Sequence, residues 1–197
     1  MTIHENIAQG SPKWFAIRNF KMTASHAQAI GNCGKGLDTY ILELMAESHS
    51  TSLEGKFSSK DTERGNELEP LARNAYEMEI GKVVKQVGFI ELDEFTGCSP
   101  DGLIDENGGT EFKALNDIKH YSLLVKGESE IESKYLWQCQ MCMYITGREY
   151  WDLCFYNPNF KTSLKVFRQL PDKEKFEGLE KGLAIGKEQI IRLKEIY

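Results

Sequence analysis

Three strand-like segments follow one another in the middle of the chain, and they restrict the possible folds more than any other feature. They read KVVKQVGFIEL, TGCSPDGLI and GTEFKAL, and Gly, Asp and Asn-Gly turn signals separate them. Short strands joined by such turns form a β-meander, and one face of a meander must pack against other elements. We therefore predict a sheet in the middle of the chain with helices around it.

Helices are predicted before this sheet. The first twenty residues read as extended, and a helix begins at TASHAQAI, where Thr23 or Ser25 can act as N-cap. The glycine-rich break GNCGKG precedes a second helix, LDTYILELMAES, and the polar segment from Ser48 to Ser59 reads as a loop. From Asp61 a long helix is predicted, in which Pro70 requires a kink or a new first turn.

The second half of the chain again combines helices and strands. A helix at YLWQCQMCMYITG has apolar positions every three or four residues, and strands at REYWDLCFYN and TSLKVFRQL follow it. The segment from Asp172 to Tyr197 is amphipathic and is predicted to pack as a terminal helix. At 197 residues the chain can build one sizeable core, so we expect a single α/β domain over residues 1–197, with a central mixed β-sheet flanked by helices.

Charge and hydrophobicity argue against two classes of protein. A net charge of −6 argues against nonspecific coating of nucleic acid, because that mode depends on Lys and Arg neutralising phosphates. The longest apolar run is far shorter than a bilayer span, and no charged-then-apolar leader precedes the first polar residues. We therefore expect a cytoplasmic protein without membrane contact, which must use a local site if it handles DNA.

The cysteines and histidines predict neither a disulfide framework nor a zinc site. The five cysteines are odd in number and lie among apolar neighbours, which is typical of reduced core thiols. The four histidines show no metal-ligand spacing among themselves or with the cysteines.

The segment GCSPDGLIDENGGTEFKAL contains the strongest chemical signal. Side chains alternate faces along a strand, so Glu111 and Lys113 point the same way while Phe112 points into the opposite layer. A hairpin turning at DENGG returns the strand of Asp101 beside them. Two carboxylates and an ammonium then share one patch, which suits Mg²⁺ and metal-assisted phosphodiester hydrolysis, and the Phe112 carbonyl could complete the coordination shell.

This spacing leaves an ordinary alternative open. Asp-Gly and Asn-Gly turns are common between strands, and Glu111 and Lys113 would then be solvated neighbours on one face. The residues of this segment alone do not decide between the two interpretations.

Four blocks occur in a fixed order along the chain: WFAIRNFKMTAS, RGNELEP, SPDG with EFK, and YLWQCQMCMYITG. Each block is weak singly, whereas the ordered set is specific. The set resembles the PD-(D/E)XK nucleases, and among them the lambda-type phage exonucleases, or YqaJ-like viral recombinase family, from Trp14 to about Asn157. The resemblance implies a restriction-endonuclease-like core.

The resemblance assigns catalytic residues one by one. Asp101, Glu111 and Lys113 match the family's catalytic acids and lysine, with Asp101, Glu111 and the Phe112 carbonyl as metal ligands. In RGNELEP, Glu69 matches an upstream glutamate that reaches the metal site, usually through water, and Glu67 is its near neighbour.

A helix glutamine also belongs to the family's active site. In YLWQCQM, Gln140 is the favoured match and Gln138 the weaker one. As DNA contacts we expect Gln138, Tyr135 at the start of the same helix, and Lys35 in the glycine-rich break, although a solvated loop lysine is an equal interpretation of Lys35.

Three further residues match the family's pocket for a 5′-phosphate: Arg18, Ser25 and Ser99. An arginine fork, a hydroxyl and a helix N-terminus are groups that a terminal phosphate monoester requires. Without the resemblance, a surface ion pair for Arg18 and a plain N-cap for Ser25 would be the better interpretations.

The family implies a function in detail. We expect a Mg²⁺-dependent exonuclease with a pair of ions, Mn²⁺ being able to substitute. It would degrade the 5′-ended strand from double-stranded DNA ends to mononucleotides and leave a 3′ overhang for recombination by strand annealing. The resemblance also implies a ring-shaped homotrimer, a single-strand annealing recombinase as partner, and a phage or prophage origin.

Three alternatives stay open at this point. An endonuclease could use the same core, and a non-catalytic module could bind DNA ends. An iron–sulfur exonuclease of the CRISPR-adaptation type would use one early and three late cysteines, here Cys33, Cys139, Cys142 and Cys154, to hold a cluster. The position of Cys139 within the active-site helix argues against that cluster.

Overall fold

The computed structural model describes residues 1–50 and 60–196. Most of the predicted loop from Ser48 to Ser59 lies outside these residues, and its first two residues belong to a helix that ends at His49.

In the described ranges the strands form two mixed sheets of four strands each. The first sheet has the order β1-β3-β4-β2 and the second has the order β5-β6-β7-β8. The bounds are β1 Thr2–His4, β2 Met22–Thr23, β3 Phe89–Asp93, β4 Thr96–Cys98, β5 Gly102–Ile104, β6 Gly108–Ala114, β7 Tyr150–Tyr156 and β8 Leu164–Gln169. The predicted mixed α/β fold is therefore confirmed, with its strands divided between two sheets.

Seven α-helices surround the sheets among the described residues. They are α1 Pro12–Arg18, α2 Ala27–Asn32, α3 Lys35–His49, α4 Lys60–Ile80, α5 Asp117–Lys126, α6 Ser133–Thr146 and α7 Lys173–Ile196. The helix α4 runs through Pro70 without being divided. The predicted terminal helix is observed as α7, whose buried side chains include Leu179, Leu183 and Ile190.

Two helices were not predicted from the sequence. The first is α1, which we expected to be extended: Ser11 caps it by accepting from the Trp14 backbone N–H at 3.3 Å, and Pro12 occupies its first turn, where the missing N–H costs nothing. The second is α5, where the Asn116 side chain accepts from the Lys119 backbone N–H at 2.9 Å. In both cases a short capping motif outweighs a weak apolar pattern.

The second sheet is covered by helices on both faces. Along β7, Leu153 and Phe155 belong to the larger core with α2, α3, α6 and α7, whereas Cys154 and Tyr156 belong to a smaller cluster with α4. Both faces of β7 are therefore buried, as is usual for a strand with a parallel neighbour and helical layers. None of the helices in the described ranges is long and apolar enough to cross a membrane.

The close contact between α7 and α2 leads to a stability prediction. A Cβ at Gly182 would lie 1.9 Å from the Ile30 carbonyl oxygen, whereas a Cβ at Gly65 in α4 would meet nothing within 4 Å. We expect Gly182→Ala to lower the free energy of unfolding by about 1–3 kcal/mol through overpacking. Gly65→Ala should raise it by about 0.5–1 kcal/mol, because alanine favours helix. Urea unfolding measures both, and equal effects of the two variants would contradict this packing.

Candidate active site

A β-hairpin brings Asp101 beside β6. The strands β5 and β6 pair antiparallel, with Gly102 opposite Thr110, and Asp101 stands immediately before β5. Its Oδ2 accepts a hydrogen bond from the backbone N–H of Phe112 at 2.7 Å. Since β5 begins only at Gly102, the Asp101 side chain occupies the place that a paired strand would take opposite Phe112.

Glu111 and Lys113 share one face of β6, as strand alternation predicts. The Lys113 ammonium donates to Glu111 Oε1 at 2.8 Å and lies 5.1 Å from the centre of the Tyr135 ring on α6. Phe112 points to the other face, where its ring packs edge-on against Tyr76 at 5.8 Å.

The helix α6 contributes Gln138 to this cluster, and the expectation for Gln140 needs correction. Gln138 Nε2 donates to Glu111 Oε1 at 2.5 Å. Gln140 is buried and turned away, with its Nε2 donating to the Leu170 carbonyl at 2.8 Å and its Oε1 accepting from the Asp172 N–H at 2.9 Å. Two residues further along a helix is a rotation of about 200°, so the two glutamines cannot face the same site.

Glu69 on α4 lies within electrostatic reach of the same carboxylates. Burial raises its pKa, the nearby Arg73 guanidinium lowers it and Glu111 raises it again, with a net increase. Arg73 donates to Glu69 Oε1 within the helix. Glu67 is exposed, so the geometry favours Glu69 over Glu67. We call Glu69, Asp101, Glu111 and Lys113 the acidic site.

The charged groups of the acidic site shift one another's pKa values. Burial raises the pKa of Asp101 well above its ordinary value, and the neighbouring carboxylates Glu111 and Glu69 raise it further. Burial lowers the pKa of Lys113, but Glu111 and Asp101 outweigh this effect, so the net shift is upward. Lys113 is therefore held as an ammonium, which can donate and offset negative charge but is poorly suited to act as a base.

The donor set of the acidic site fits a hard divalent cation. Glu111 Oε2 is buried and has no hydrogen-bond partner among the described residues. The Phe112 N–H and C=O point to the same edge of β6, because both groups of one strand residue face the same neighbour, so the carbonyl lies on the Asp101 side. No group of three or more His, Cys, Asp or Glu in the described ranges forms a preformed metal cage. Mg²⁺ commonly uses one or two carboxylates and completes its shell with water and substrate phosphate.

A second cluster lies directly before Asp101 in the chain. Ser99 Oγ accepts from the Trp14 indole N–H at 2.9 Å and from Arg18 Nη1 at 3.3 Å. The Arg18 guanidinium stacks over the Trp14 ring at 4.1 Å, and its Nη2 donates to Thr23 Oγ1 at 3.5 Å. Ser25 Oγ lies 3.1 Å from Thr23 Oγ1. We call Trp14, Arg18, Thr23, Ser25 and Ser99 the Arg18 pocket.

The Arg18 pocket carries a positive charge without a carboxylate partner. No Asp or Glu of the described residues lies within ion-pair distance of Arg18, and burial lowers its pKa. Thr23 stands at the predicted N-cap position, before the short 3-10 turn Ala24–His26, but neither Thr23 nor Ser25 makes a side-chain capping hydrogen bond. Desolvated and surrounded by hydroxyls, Arg18 is suited to receive an anion.

Gln9 connects the two clusters. Its Nε2 donates to the Pro100 carbonyl at 3.0 Å and to the Val87 carbonyl at 3.3 Å. Pro100 stands between Ser99 of the Arg18 pocket and Asp101 of the acidic site. The position of the turn is therefore held from the segment that precedes α1.

Comparison with known proteins agrees with this geometry. The family described as YqaJ-like viral recombinase domain matches residues 13–149. This chain belongs to that family. Comparison with curated proteins gives no match.

Solved structures resemble the chain over nearly its whole length. An alkaline exonuclease, LHK-Exo, from Laribacter hongkongensis is 29% identical, with a TM-score of 0.80 over 94% of this chain and 97% of that one. The same enzyme in complex with dAMP gives a TM-score of 0.81 at the same identity and coverage. A phage-related exonuclease from Haemophilus somnus 129PT shares the fold at 13% identity, with a TM-score of 0.73 over 93% of this chain and 99% of that one. The family and these neighbours confirm the predicted enzyme class, an exodeoxyribonuclease.

Two of the predicted DNA contacts of this YqaJ-family chain have different surroundings. Lys35 is the exposed first residue of α3, because the glycine-rich break is shorter than expected. Tyr135 lies under Lys113 and packs against Phe155 at 6.1 Å, so its ring belongs to the wall of the acidic site.

The cysteines do not form the arrangement of an iron–sulfur exonuclease. The Cys33 thiol donates to the Gly178 carbonyl at 3.5 Å, and the three later cysteines are buried in the core. No group of three cysteines in the described ranges is placed to hold a metal.

Sequence reasoning missed Trp14, Thr23 and Gln9. Trp14 and Thr23 stand inside the quoted block WFAIRNFKMTAS, but only their contacts with Ser99 and Arg18 reveal their role. Gln9 precedes the block and carried no signal in the sequence.

The two glutamines of α6 form a matched pair for a test of the acidic site. Gln138→Ala removes a donor to a carboxylate, which contributes about 1.5–3 kcal/mol, so kcat/KM should fall by about tenfold to hundredfold. Gln140→Ala should instead lower the free energy of unfolding by about 1–3 kcal/mol and leave kcat near the wild-type value. Steady-state nuclease assays and urea unfolding of both variants measure this contrast, and an activity loss confined to Gln140→Ala would reverse our assignment.

The raised pKa of Asp101 predicts a conflict between stability and activity. The pKa of Asp101 is higher in the folded protein than in the unfolded chain. As the pH rises from the pKa of the unfolded chain to the pKa of the folded protein, the unfolded chain loses its proton first, and the folded state becomes less stable. Asp101→Asn removes this charge and keeps an acceptor for the Phe112 N–H. At pH 8 with EDTA, we expect the variant to be more stable by about 1–3 kcal/mol, with a smaller difference near pH 4. In a separate assay with Mg²⁺, we expect the variant to be inactive while the wild-type protein is active.

Thermal unfolding across this pH range measures the Asp101 effect. The control is Asp105→Asn, since Asp105 is exposed on the same hairpin and forms an ion pair with Lys82 at the surface. A loss of stability in Asp101→Asn at pH 8 would show that the charge is compensated in the metal-free protein.

Proposed function

We propose that this exodeoxyribonuclease is a Mg²⁺-dependent 5′-to-3′ enzyme acting on double-stranded DNA ends. One observation carries the proposal: the Arg18 pocket and the acidic site are joined through a single intervening residue, Pro100, between Ser99 and Asp101. A terminal phosphate bound at Arg18 and Ser99 would leave the next phosphodiester of the strand close to Asp101 and Glu111.

The Arg18 pocket suits a phosphate monoester in particular. Ser99 Oγ accepts from Trp14 and Arg18, so its own hydroxyl hydrogen is free to donate to an anion. A monoester carries about −1.5 to −2 charge at neutral pH, more than an internal phosphodiester. The guanidinium without a carboxylate partner therefore favours an end over an internal position of the strand.

The acidic site would supply the hydrolysis. Asp101, Glu111 and the Phe112 carbonyl are the groups that would hold Mg²⁺ or Mn²⁺, with Glu69 acting through water. When bound, the ions would neutralise phosphodiester charge and lower the pKa of a coordinated water. Lys113, held as an ammonium, would orient the attacking water and offset charge on the phosphorus oxygens. Gln138 would hold Glu111 in position.

The polarity of the reaction follows from the order of the two clusters. Attack on phosphorus breaks its bond to the 3′ oxygen, so the released mononucleotide keeps its 5′-phosphate and gains a 3′-hydroxyl. The shortened strand then begins with a new 5′-phosphate, which is again a ligand for the Arg18 pocket. Each cleavage thereby creates the ligand for the next one and leaves a growing 3′ overhang.

The assembly and partner rest on the family resemblance. We extend to this chain the ring-shaped homotrimer around DNA and a single-strand annealing recombinase that binds the overhang. A ring would also suit a chain of net charge −6, because enclosure retains DNA where a basic surface does not.

Digestion of linear duplex DNA with Mg²⁺ tests the proposal. We expect mononucleotide release from 5′-phosphorylated ends, reduced at least a hundredfold in Lys113→Ala because charge stabilisation is lost. Arg18→Ala should remove the preference for a 5′-phosphate over a 5′-hydroxyl. Arg192→Ala, on the exposed face of α7, serves as the matched control.

The same assay separates the alternatives. Cleavage of covalently closed circles would indicate an endonuclease, and release from 3′ ends would reverse the polarity. Absence of metal-dependent hydrolysis on every substrate would leave an end-binding module.

A further inference from the structure

An imidazole lies at the edge of the Arg18 pocket. His26 Nδ1 is 3.2 Å from Ser25 Oγ, and the His26 ring stacks on Tyr40 with centroids 4.0 Å apart and planes at 10°. The stacking fixes the plane of the ring, and Nε2 has no hydrogen-bond partner among the described residues. No sequence pattern distinguishes His26 from an ordinary surface histidine.

The charges around His26 oppose one another. Burial lowers its pKa, Glu43 on α3 raises it, Arg18 on α1 lowers it and Glu47 on α3 raises it, with a net decrease. The helix α6 also packs against this turn, and its contact there, from Gln28 to Ser133, is uncharged. Without a bound anion the imidazole is therefore mainly neutral near pH 7.

We propose that His26 is a positioning residue of the Arg18 pocket, and that its protonation strengthens the binding of a DNA 5′-phosphate through Ser25. This inference rests on the proposed function, because it assigns the ligand of the Arg18 pocket as a terminal phosphate.

The hydrogen bond between His26 and Ser25 provides the physical link. A neutral imidazole with an unprotonated Nδ1 accepts the Ser25 hydroxyl hydrogen and turns it away from the pocket. A protonated imidazole donates to Ser25 Oγ instead, which releases the hydroxyl hydrogen for a phosphate oxygen. The second cation also adds to Arg18, so protonation changes both the charge and the direction of the donor.

The sign of the pH effect follows from linkage. A phosphate dianion nearby raises the pKa of His26 in the complex above its value in the free protein. At a pH between the pKa of free His26 and its pKa in the complex, binding of the phosphate takes up a proton. The preference for a 5′-phosphate over a 5′-hydroxyl therefore decreases as the pH rises through this range. The ionisation of the phosphate itself, with a pKa near 6, acts in the opposite direction and is identical in all variants.

The test compares kcat/KM for 5′-phosphorylated and 5′-hydroxyl duplexes between pH 6.5 and pH 8.5. Taking the ratio of the two substrates cancels titration of the acidic site, which both share. For the wild-type protein we expect this ratio to fall by about two- to tenfold across the range, since a nearby opposite charge raises a pKa by about one to two units and the pKa of free His26 already lies below its ordinary value. In His26→Asn and His26→Gln, which cannot be protonated, the ratio should not fall.

The control is His4→Asn. His4 lies on β1 and contacts Glu91 on the neighbouring strand β3, at the opposite edge of the first sheet from β2, which precedes His26. This variant should keep the wild-type pH dependence. A ratio that falls equally in wild type and in both His26 variants overturns the role of His26 and leaves the proposed function intact. A wild-type ratio of one at every pH overturns the phosphate assignment and this inference together, while loss of all hydrolysis would overturn the proposed function itself.

Discussion

Three carboxylates, the buried Glu111 and the half-buried Asp101 and Glu69, lie within electrostatic reach of one another. Their mutual repulsion is unfavourable, and the surrounding contacts reduce it: Lys113 and Gln138 donate to Glu111, the Phe112 N–H donates to Asp101, and Arg73 donates to Glu69. One buried oxygen, Glu111 Oε2, is still left unsatisfied by the described residues. The folded chain thus holds an excess of negative charge that bound divalent cations would neutralise. The strands and helices around the site keep the three carboxylates together.

The Arg18 pocket presents the opposite imbalance, a half-buried cation among hydroxyls. Under the proposed function the two clusters would be complementary to a DNA end, because one lacks an anion and the other lacks cations. Their spacing is set by the backbone from Ser99 to Asp101, and Gln9 and Trp14 hold that stretch against β3 and α1. A substitution far from the reacting bond can therefore alter which phosphate is cleaved, because the register depends on this connection.

Sequence reasoning located the acidic site well but did not locate all of its surroundings. Asp101, Glu111 and Lys113 could be predicted because strand alternation and a tight hairpin determine which side chains meet. The choice between Gln138 and Gln140 could not be made, because α6 is half-buried or buried around most of its circumference and has no distinct polar face. Thr23, Trp14 and His26 depend on how α1, α3 and β4 pack together, which no local pattern encodes. The helices α1 and α5 were missed because their caps are single residues.

The parallel pairing of β6 with β7 has a consequence for folding. The strand that carries Glu111 and Lys113 pairs over its full length with a strand that lies beyond α5 and α6, from Gly108 opposite Tyr150 to Ala114 opposite Tyr156. Such a pairing closes a long loop of the chain and forms slowly during folding, because the chain loses the conformational entropy of the loop before the contacts between the strands form. During synthesis the hairpin that carries Asp101 and Glu111 therefore lacks the parallel partner of β6 and the Gln138 donor until α6 and β7 have left the ribosome.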